Sequence, residues 1–387
     1  PPRSTLFPYT TLFRSWHMIV WSRRKPENAI KDLRTMLQFQ QPNGFIPEMI
    51  FWGQRNKLEK ISKFMFGSSN PKYTDISQMP MLAYSVRSIF EATNDLELLK
   101  EFVPKIIHYL EWWQNERDTD KDGLISIIHP WESGLDASPV YDPAHGVDNP
   151  VYKELYPKFL KLLYKYRKKA KWDIPTILRE DWFNFEDVGL CAVYTDAWGI
   201  MAKLAALFDT ALADKCKKMQ IDYEQKIIKK CWDPTRKQFI SFYHQRDQEK
   251  PSYIRTIQSL FPLLFESLPK EIEQSIIETL KDPEHFWLEY PVPTTAKSEI
   301  TFNPHDSRLM WRGPTWGSTN WIVVEALLKK GYKFEARAIV DKWLEMTQKH
   351  GFWEYHNPIT GEAEGQEGLG MSTTLIDMLY RCDIIKK

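Results

Sequence analysis

The chain has 387 residues, of which 43% are hydrophobic and 27% charged, a globular balance sufficient for one large domain or two ordinary ones. A formal net charge of +1 gives no strong field for nucleic acid, and no run of about 18 apolar residues offers a membrane-spanning helix. Four dispersed cysteines (Cys191, Cys216, Cys231, Cys382) form no CxxC pair and point to neither disulfides nor zinc.

The first stretch, LFPYTTLFRS within residues 1–15, reads as a translated sequencing adapter, so fold reasoning starts at Trp16. Apolar residues at Ile30, Leu33, Met36, Leu37 and Phe39 predict a helix over 25–40, with Pro26 suited to its first turn. Helices follow over 77–92, apolar on most of its circumference, and over 95–116, with one apolar stripe. Asp118, Asp120, Asp122 and Gly123 match the first half of a calcium loop, but His129 stands at the twelfth position, where a bidentate Glu is needed. A tight turn is the reading that fits.

Residues 151–168 form an amphipathic helix that looks inserted. Beyond it the pairing continues as 187–209 with 211–231, 254–267 with 269–281, and 315–330 with 332–349, ending in 370–381. Strand signals are confined to 123–128, 238–243 and 352–356. Ten helices alternating between buried and one-striped predict an all-α toroid of paired helices. A closed ring of six pairs needs twelve, so the expectation is that a first pair is missing before Trp16. The domain is expected to span 16–387.

Two loops carry candidate chemistry. Phe352 to Gly361 sets Glu354 between the aromatic residues Trp353 and Tyr355, then turns at Asn357-Pro358 and Thr360-Gly361. His129 to Ser138 sets Glu132 and Asp136 beside Trp131. Carboxyls beside rings suit acid–base work on a stacked sugar. On local sequence alone, a helix cap is the stronger reading for Asp136 and a strand-edge carboxylate for Glu354.

The ordered segments GFIPEM (44–49), Ser77-Gln78-Met79-Pro80, WESGLDAS (131–138), WRGPTW (311–316) with Asn320, and EYHNPITGE (354–362) resemble glycoside hydrolase family 63 and its relatives. These relatives include the mannosylglycerate and glucosylglycerate hydrolases, the processing α-glucosidase I and the trehalases. The resemblance implies an (α/α)6 toroid and an inverting α-glycosidase of a small α-glucoside or α-mannoside, without a cofactor or metal. It implies that Asp136 is the general acid and Glu354 the general base. Gln78, Trp131, Glu132, Trp311, Arg312, Trp316, Tyr355 and Gln366 are the expected sugar contacts. For Glu132 a loop-orienting role, and for Arg312 a loop-fixing salt bridge, are the competing readings. A small carbohydrate is the expected partner, with neither nucleic acid nor membrane, and the cytoplasm is the expected location.

The sequence also departs from the family. The Trp-Asp pair that grips the sugar in the relatives is broken at Val20-Trp21-Ser22-Arg23, and Ala137 and Pro139 replace residues that are often Asn and Arg. A sugar 2-epimerase on the same toroid, or an impaired sugar-binding toroid, are the alternatives. His129, His305 and His356 form no obvious catalytic pair for an epimerase.

Overall fold

A computed structural model describes residues 9–51, 69–70, 72–246, 248–305 and 308–385. None of the helices among them is long and apolar enough to cross a membrane. The main helices are α1 (Thr11–Arg24), α2 (Pro26–Leu37), α3 (Leu82–Thr93), α4 (Leu96–Arg117), α5 (Tyr152–Lys165), α6 (Val188–Ala205), α7 (Thr210–Cys231), α8 (Lys270–Lys281), α9 (Gly317–Lys330), α10 (Lys333–His350) and α11 (Thr374–Arg381). A 3-10 helix, Ile257–Leu264, stands between α7 and α8.

Burial separates two layers. Every residue of α6 except Lys203 is buried, as a helix apolar on all sides requires. Its partner α7 buries one stripe, Ala213, Cys216, Gln220, Tyr223, Glu224, Ile227 and Cys231. Gly199 lets these two helices approach, since a Cβ there would lie 2.7 Å from the Gln220 amide carbon. The inner layer is α1, α3, α6, the 3-10 helix, α9 and α11; each packs on the next, and α11 packs back on α1. Around it lie α2, α4, α7, α8 and α10. The fold is the (α/α)6 toroid that the periodicity and the resemblance imply.

Three expectations are corrected. The place between helices 77–92 and 370–381, expected to be empty, is filled by α1, which starts at Thr11, ahead of Trp16. Helix 77–92 begins only at Leu82, because Pro80 restricts Met79 and removes a backbone donor. Gln78 therefore lies on an irregular lead-in and not on the helix. Helix 254–267 is the 3-10 segment, with Pro262 inside it.

Side chains close the ring around Asp377 of α11, which is fully buried. It accepts from Arg23 Nε of α1 at 2.5 Å, Trp321 Nε1 of α9 at 2.6 Å and Arg381 Nε at 2.5 Å. The Trp321 ring meets Trp16 of α1 edge-on at 5.2 Å and Tyr84 of α3 at 5.6 Å. Removing one partner of a buried ion pair leaves the other charges uncompensated, at a cost of about 3–5 kcal/mol. Asp377→Ala is expected to lose about that much unfolding free energy in a denaturant titration; a loss below about 1 kcal/mol would show that the ring does not depend on this carboxylate.

Candidate active site

Segments running from an outer helix to the next inner helix gather at one rim. Every site residue expected from the sequence lies in one of them: 38–81, 118–187, 282–316 or 351–373. Small antiparallel sheets stiffen this rim. Strands β1 (Tyr9–Thr10) and β2 (Met49–Ile50) pair, and β3 (Ser126–Ile127), β4 (Asn184–Glu186), β5 (Ser241–Gln245) and β6 (Gln248–Ser252) form a four-stranded sheet in that order. Strands β7 (Trp353–His356) and β8 (Ala363–Glu367) form a hairpin.

The loop carrying Asp136 is built from β3 outward. His129 caps a 3-10 turn, Pro130–Ser133, its Nδ1 accepting from the Trp131 N–H at 3.2 Å. Gly134 ends the turn at φ +74°, where a side chain would be strained. Glu132 pins the turn from beneath and is fully buried. Its Oε1 accepts from Ser77 N at 3.0 Å and Arg117 Nη2 at 2.8 Å. Its Oε2 accepts from Ile128 N at 2.8 Å and Arg117 Nη1 at 3.2 Å. The Glu132 carbonyl accepts from Met79 N at 2.9 Å. This carboxylate orients the loop, which is the competing reading for it, and has no exposed atom for a sugar contact.

Asp136 is half-buried, and burial pushes its carboxyl up to about 7. Beside it lies a cavity of about 180 Å³ lined by Trp131, Asp136, Tyr156, Phe159, Leu309 and Trp311. Tyr156 and Phe159 come from α5, so the inserted helix walls the cavity.

From the cavity a ladder of rings runs inward. Trp311 stacks on Trp316 with centroids 3.9 Å apart, and Trp316 on Tyr355 at 4.9 Å. Trp311 lines the cavity, whereas Trp316 is 1% exposed and Tyr355 fully buried. These two rings support the platform and do not present a face to it. Arg312 is likewise committed elsewhere. Its Nη1 and Nη2 donate to Asp142 at 2.8 and 2.6 Å in a buried two-pronged pair, the loop-fixing role.

Glu354 precedes Tyr355 on β7, so its side chain leaves the opposite face of the strand. Glu354 Oε2 accepts from Gln366 N at 3.0 Å across the β7–β8 hairpin. Gly365 is required there, since a Cβ would come within 2.7 Å of the same oxygen. Burial raises the Glu354 carboxyl above its ordinary value, opposed by the Gln366 N–H. Gln366 thus contributes its backbone, while its side-chain amide donates to the Glu367 carbonyl at 3.2 Å.

Gln78 is buried, with Nε2 at 3.5 Å from Oε1 of Glu48. Sequence reasoning quoted Glu48 within GFIPEM but assigned it no role, because only the fold brings it near Asp136. In the calcium-like turn, Lys230 Nζ lies against Asp122, Glu186 and Glu249, supplying a positive charge from α7. Asp118 accepts from Gly123 N at 3.3 Å and from the Tyr223 hydroxyl at 3.0 Å, as a tight turn requires.

A helical toroid with half-buried carboxyls on its rim, one of them beside an aromatic cavity, is the architecture of a glycoside hydrolase. The family model of the mannosylglycerate hydrolase MGH1-like glycoside hydrolase domain matches residues 8–372, and the chain belongs to that family. It is 26% identical to mannosylglycerate hydrolase of Thermus thermophilus, with 97% of this chain and 94% of the relative covered. It is 24% identical to glucosylglycerate hydrolase of Mycolicibacterium hassiacum, over 88% of this chain and 84% of that one. The crystal structure of the family 63 mannosylglycerate hydrolase from Thermus thermophilus in complex with Tris superposes with a TM-score of 0.86 at 25% identity, covering 97% of this chain and 94% of that chain. Neutral trehalase of Saccharomyces cerevisiae shares the fold at TM-score 0.59 and 16% identity, covering 95% of this chain and 71% of that one.

A carboxyl raised by folding makes the folded state bind its proton more tightly than the unfolded chain does. For Asp136 this contribution favours folding below pH 4 and is lost as pH rises from 4 to about 7. Asp136→Asn removes the titration. The variant is expected to be more stable than the parent at pH 8, by up to about 4 kcal/mol, with the gap closing at pH 4. A gap independent of pH would show that the Asp136 carboxyl is not raised.

Proposed function

We propose that this glycoside hydrolase cleaves a small α-glucoside or α-mannoside, with glucosylglycerate and mannosylglycerate the leading candidates, by single-displacement inversion. The observation that carries the mechanism is the environment of Asp136. A carboxyl held at about 7 beside an aromatic cavity keeps its proton where an ordinary aspartate has lost it. Asp136 protonates the glycosidic oxygen as the bond from that oxygen to the anomeric carbon breaks. Glu354 takes a proton from a water, whose oxygen bonds the anomeric carbon from the opposite face. Burial makes Glu354 a stronger base than a solvated glutamate. Inversion of this kind uses carboxyls roughly 6.5–9.5 Å apart, with the water between. Trp311 provides the stacking surface, and the fixed pairs Glu132–Arg117 and Asp142–Arg312 hold the two loops that flank it.

The substrate class draws support from the relatives, which are named for mannosylglycerate and glucosylglycerate. The histidines speak against epimerase chemistry. His129 is buried as a cap and held near 3, His305 hydrogen-bonds Asn357 at 2.9 Å, and neither lines the cavity.

Asp136→Asn and Glu354→Gln are each expected to lower kcat on glucosylglycerate by about 10²–10⁴-fold or more with the fold intact. An aryl α-glucoside whose leaving group needs no proton should restore much of the rate to Asp136→Asn and none to Glu354→Gln. In the parent, kcat/KM should fall as pH rises through about 7, where Asp136 loses its proton. The first product seen by NMR should be the β-sugar. Release of the α-sugar, or rescue of the Glu354 variant by the aryl substrate, would overturn these assignments.

A further inference from the structure

We infer that Glu48 is a glycone-binding residue, whose carboxyl, beside the Gln78 amide, hydrogen-bonds hydroxyls of the sugar ring that Asp136 and Glu354 act upon. This assignment rests on the glycosidase reading and adds to it a residue with no role in the acid–base chemistry.

The backbone fixes the placement. Glu48 N donates to Ile76 O at 2.8 Å, and Met49 N to Thr74 Oγ1 at 3.0 Å. Ser77 N and Met79 N are in turn held by Glu132, four residues before Asp136. Glu48, Gln78 and the acid loop therefore form one hydrogen-bonded unit at the rim.

The side chain is buried but poorly satisfied. Glu48 is 4% exposed, its Oε1 has only the long 3.5 Å contact from Gln78, and its Oε2 has no partner among the described residues. The buried carboxyls of Asp187 and Glu224, by contrast, are saturated. Asp187 accepts from Gly189 N, Leu190 N, Gln258 Nε2 and Tyr141 OH, and Glu224 from Gln220 Nε2, Glu266 N and the Ser267 N–H and hydroxyl. A buried acceptor without a partner destabilises a protein by about 1–3 kcal/mol, a cost that a ligand's hydroxyls remove on binding.

The surrounding charge selects the ligand group. Burial, then Asp136, then Glu132, all push the Glu48 carboxyl well above its ordinary value. A carboxyl that keeps its proton offers one donor and one acceptor, the pattern of a sugar hydroxyl pair. The protonated Glu48 and Asp136 carboxyls and the Arg117-paired Glu132 offer an aglycone carboxylate no free positive charge. The cavity lined by Trp131 and Trp311 also has Arg308 on its wall and suits that carboxylate better.

The tests use the whole chain. Crystals soaked in glucose or mannose should show a hydroxyl within about 3.2 Å of Glu48 Oε2. A bound sugar with no atom within about 4 Å of that oxygen would overturn the assignment. Glu48→Met keeps the volume and removes the hydrogen bonds. It should lower kcat/KM on glucosylglycerate by about 10-fold or more while melting at or above the parent temperature. Among glucosylglycerates lacking one ring hydroxyl at a time, one should be a poor substrate for the parent and no worse than the full substrate for Glu48→Met. A folded Glu48→Met with parental kcat/KM and the parental deoxy profile would overturn the inference. If that variant does not fold, the soaked crystal decides. A parent that hydrolyses no α-glycoside contradicts the glycosidase reading instead, whatever the crystal shows at Glu48.

Discussion

One buried carboxylate, Glu132, sets the geometry on which the rim depends. It joins the end of α4 through Arg117, the lead-in to α3 through Ser77, and its own loop through Ile128. The Arg117 guanidinium is itself packed over the rings of Trp112 at 5.3 Å and Trp113 at 5.7 Å. A buried ion pair gives little net stability against an apolar replacement. Its value lies in position: four directed hydrogen bonds allow a single placement of the 130–136 loop, and Asp136 inherits that precision.

The proposed acid and base reach their environments by different routes. Asp136 sits on a turn with an aromatic wall, where loss of water holds its proton. Glu354 sits on a strand, with one backbone N–H at its oxygen and a glycine leaving room for it. The ring ladder Trp311–Trp316–Tyr355 runs from the cavity beside Asp136 to the strand that carries Glu354. The toroid supplies the rest. Inner helices aimed at one rim bring there segments distant in sequence, as ring closure through Asp377 keeps α1, α9 and α11 in fixed order.

Much of this was legible in the sequence because helical period survives translation into burial. The stripe of α7 and the all-round apolar surface of α6 were visible as such, and the inserted α5 stood out by its amphipathic pattern. Proline chemistry was underweighted: Pro80 delays α3 and Pro262 turns an inner helix into 3-10 form. All of α1 was missed: Trp16 to Arg24 was read only for its broken Trp-Asp pair, and the residues before Trp16 were set aside on origin. The short strand β4 gave no local signal, since its pairing partners β3 and β5 are remote in sequence. At the site, residue types were readable but allegiance was not. Whether Glu132 and Arg312 face a sugar or a counter-charge depends on Arg117 and Asp142, which lie 15 and 170 residues away. Glu48 carried no sequence signal because its significance is an unfilled hydrogen bond, a property of the fold alone.

The central claim is that Glu354 delivers the attacking water to the face opposite Asp136. Truncating Glu354→Ala removes the base and opens space for a small anion at the same place. With azide and an aryl α-glucoside, which needs no help from Asp136 to depart, the account predicts recovered turnover and a β-glucosyl azide as product, read by NMR. No azide product, or an α-glucosyl azide, would contradict the placement of Glu354 as the base of an inverting reaction.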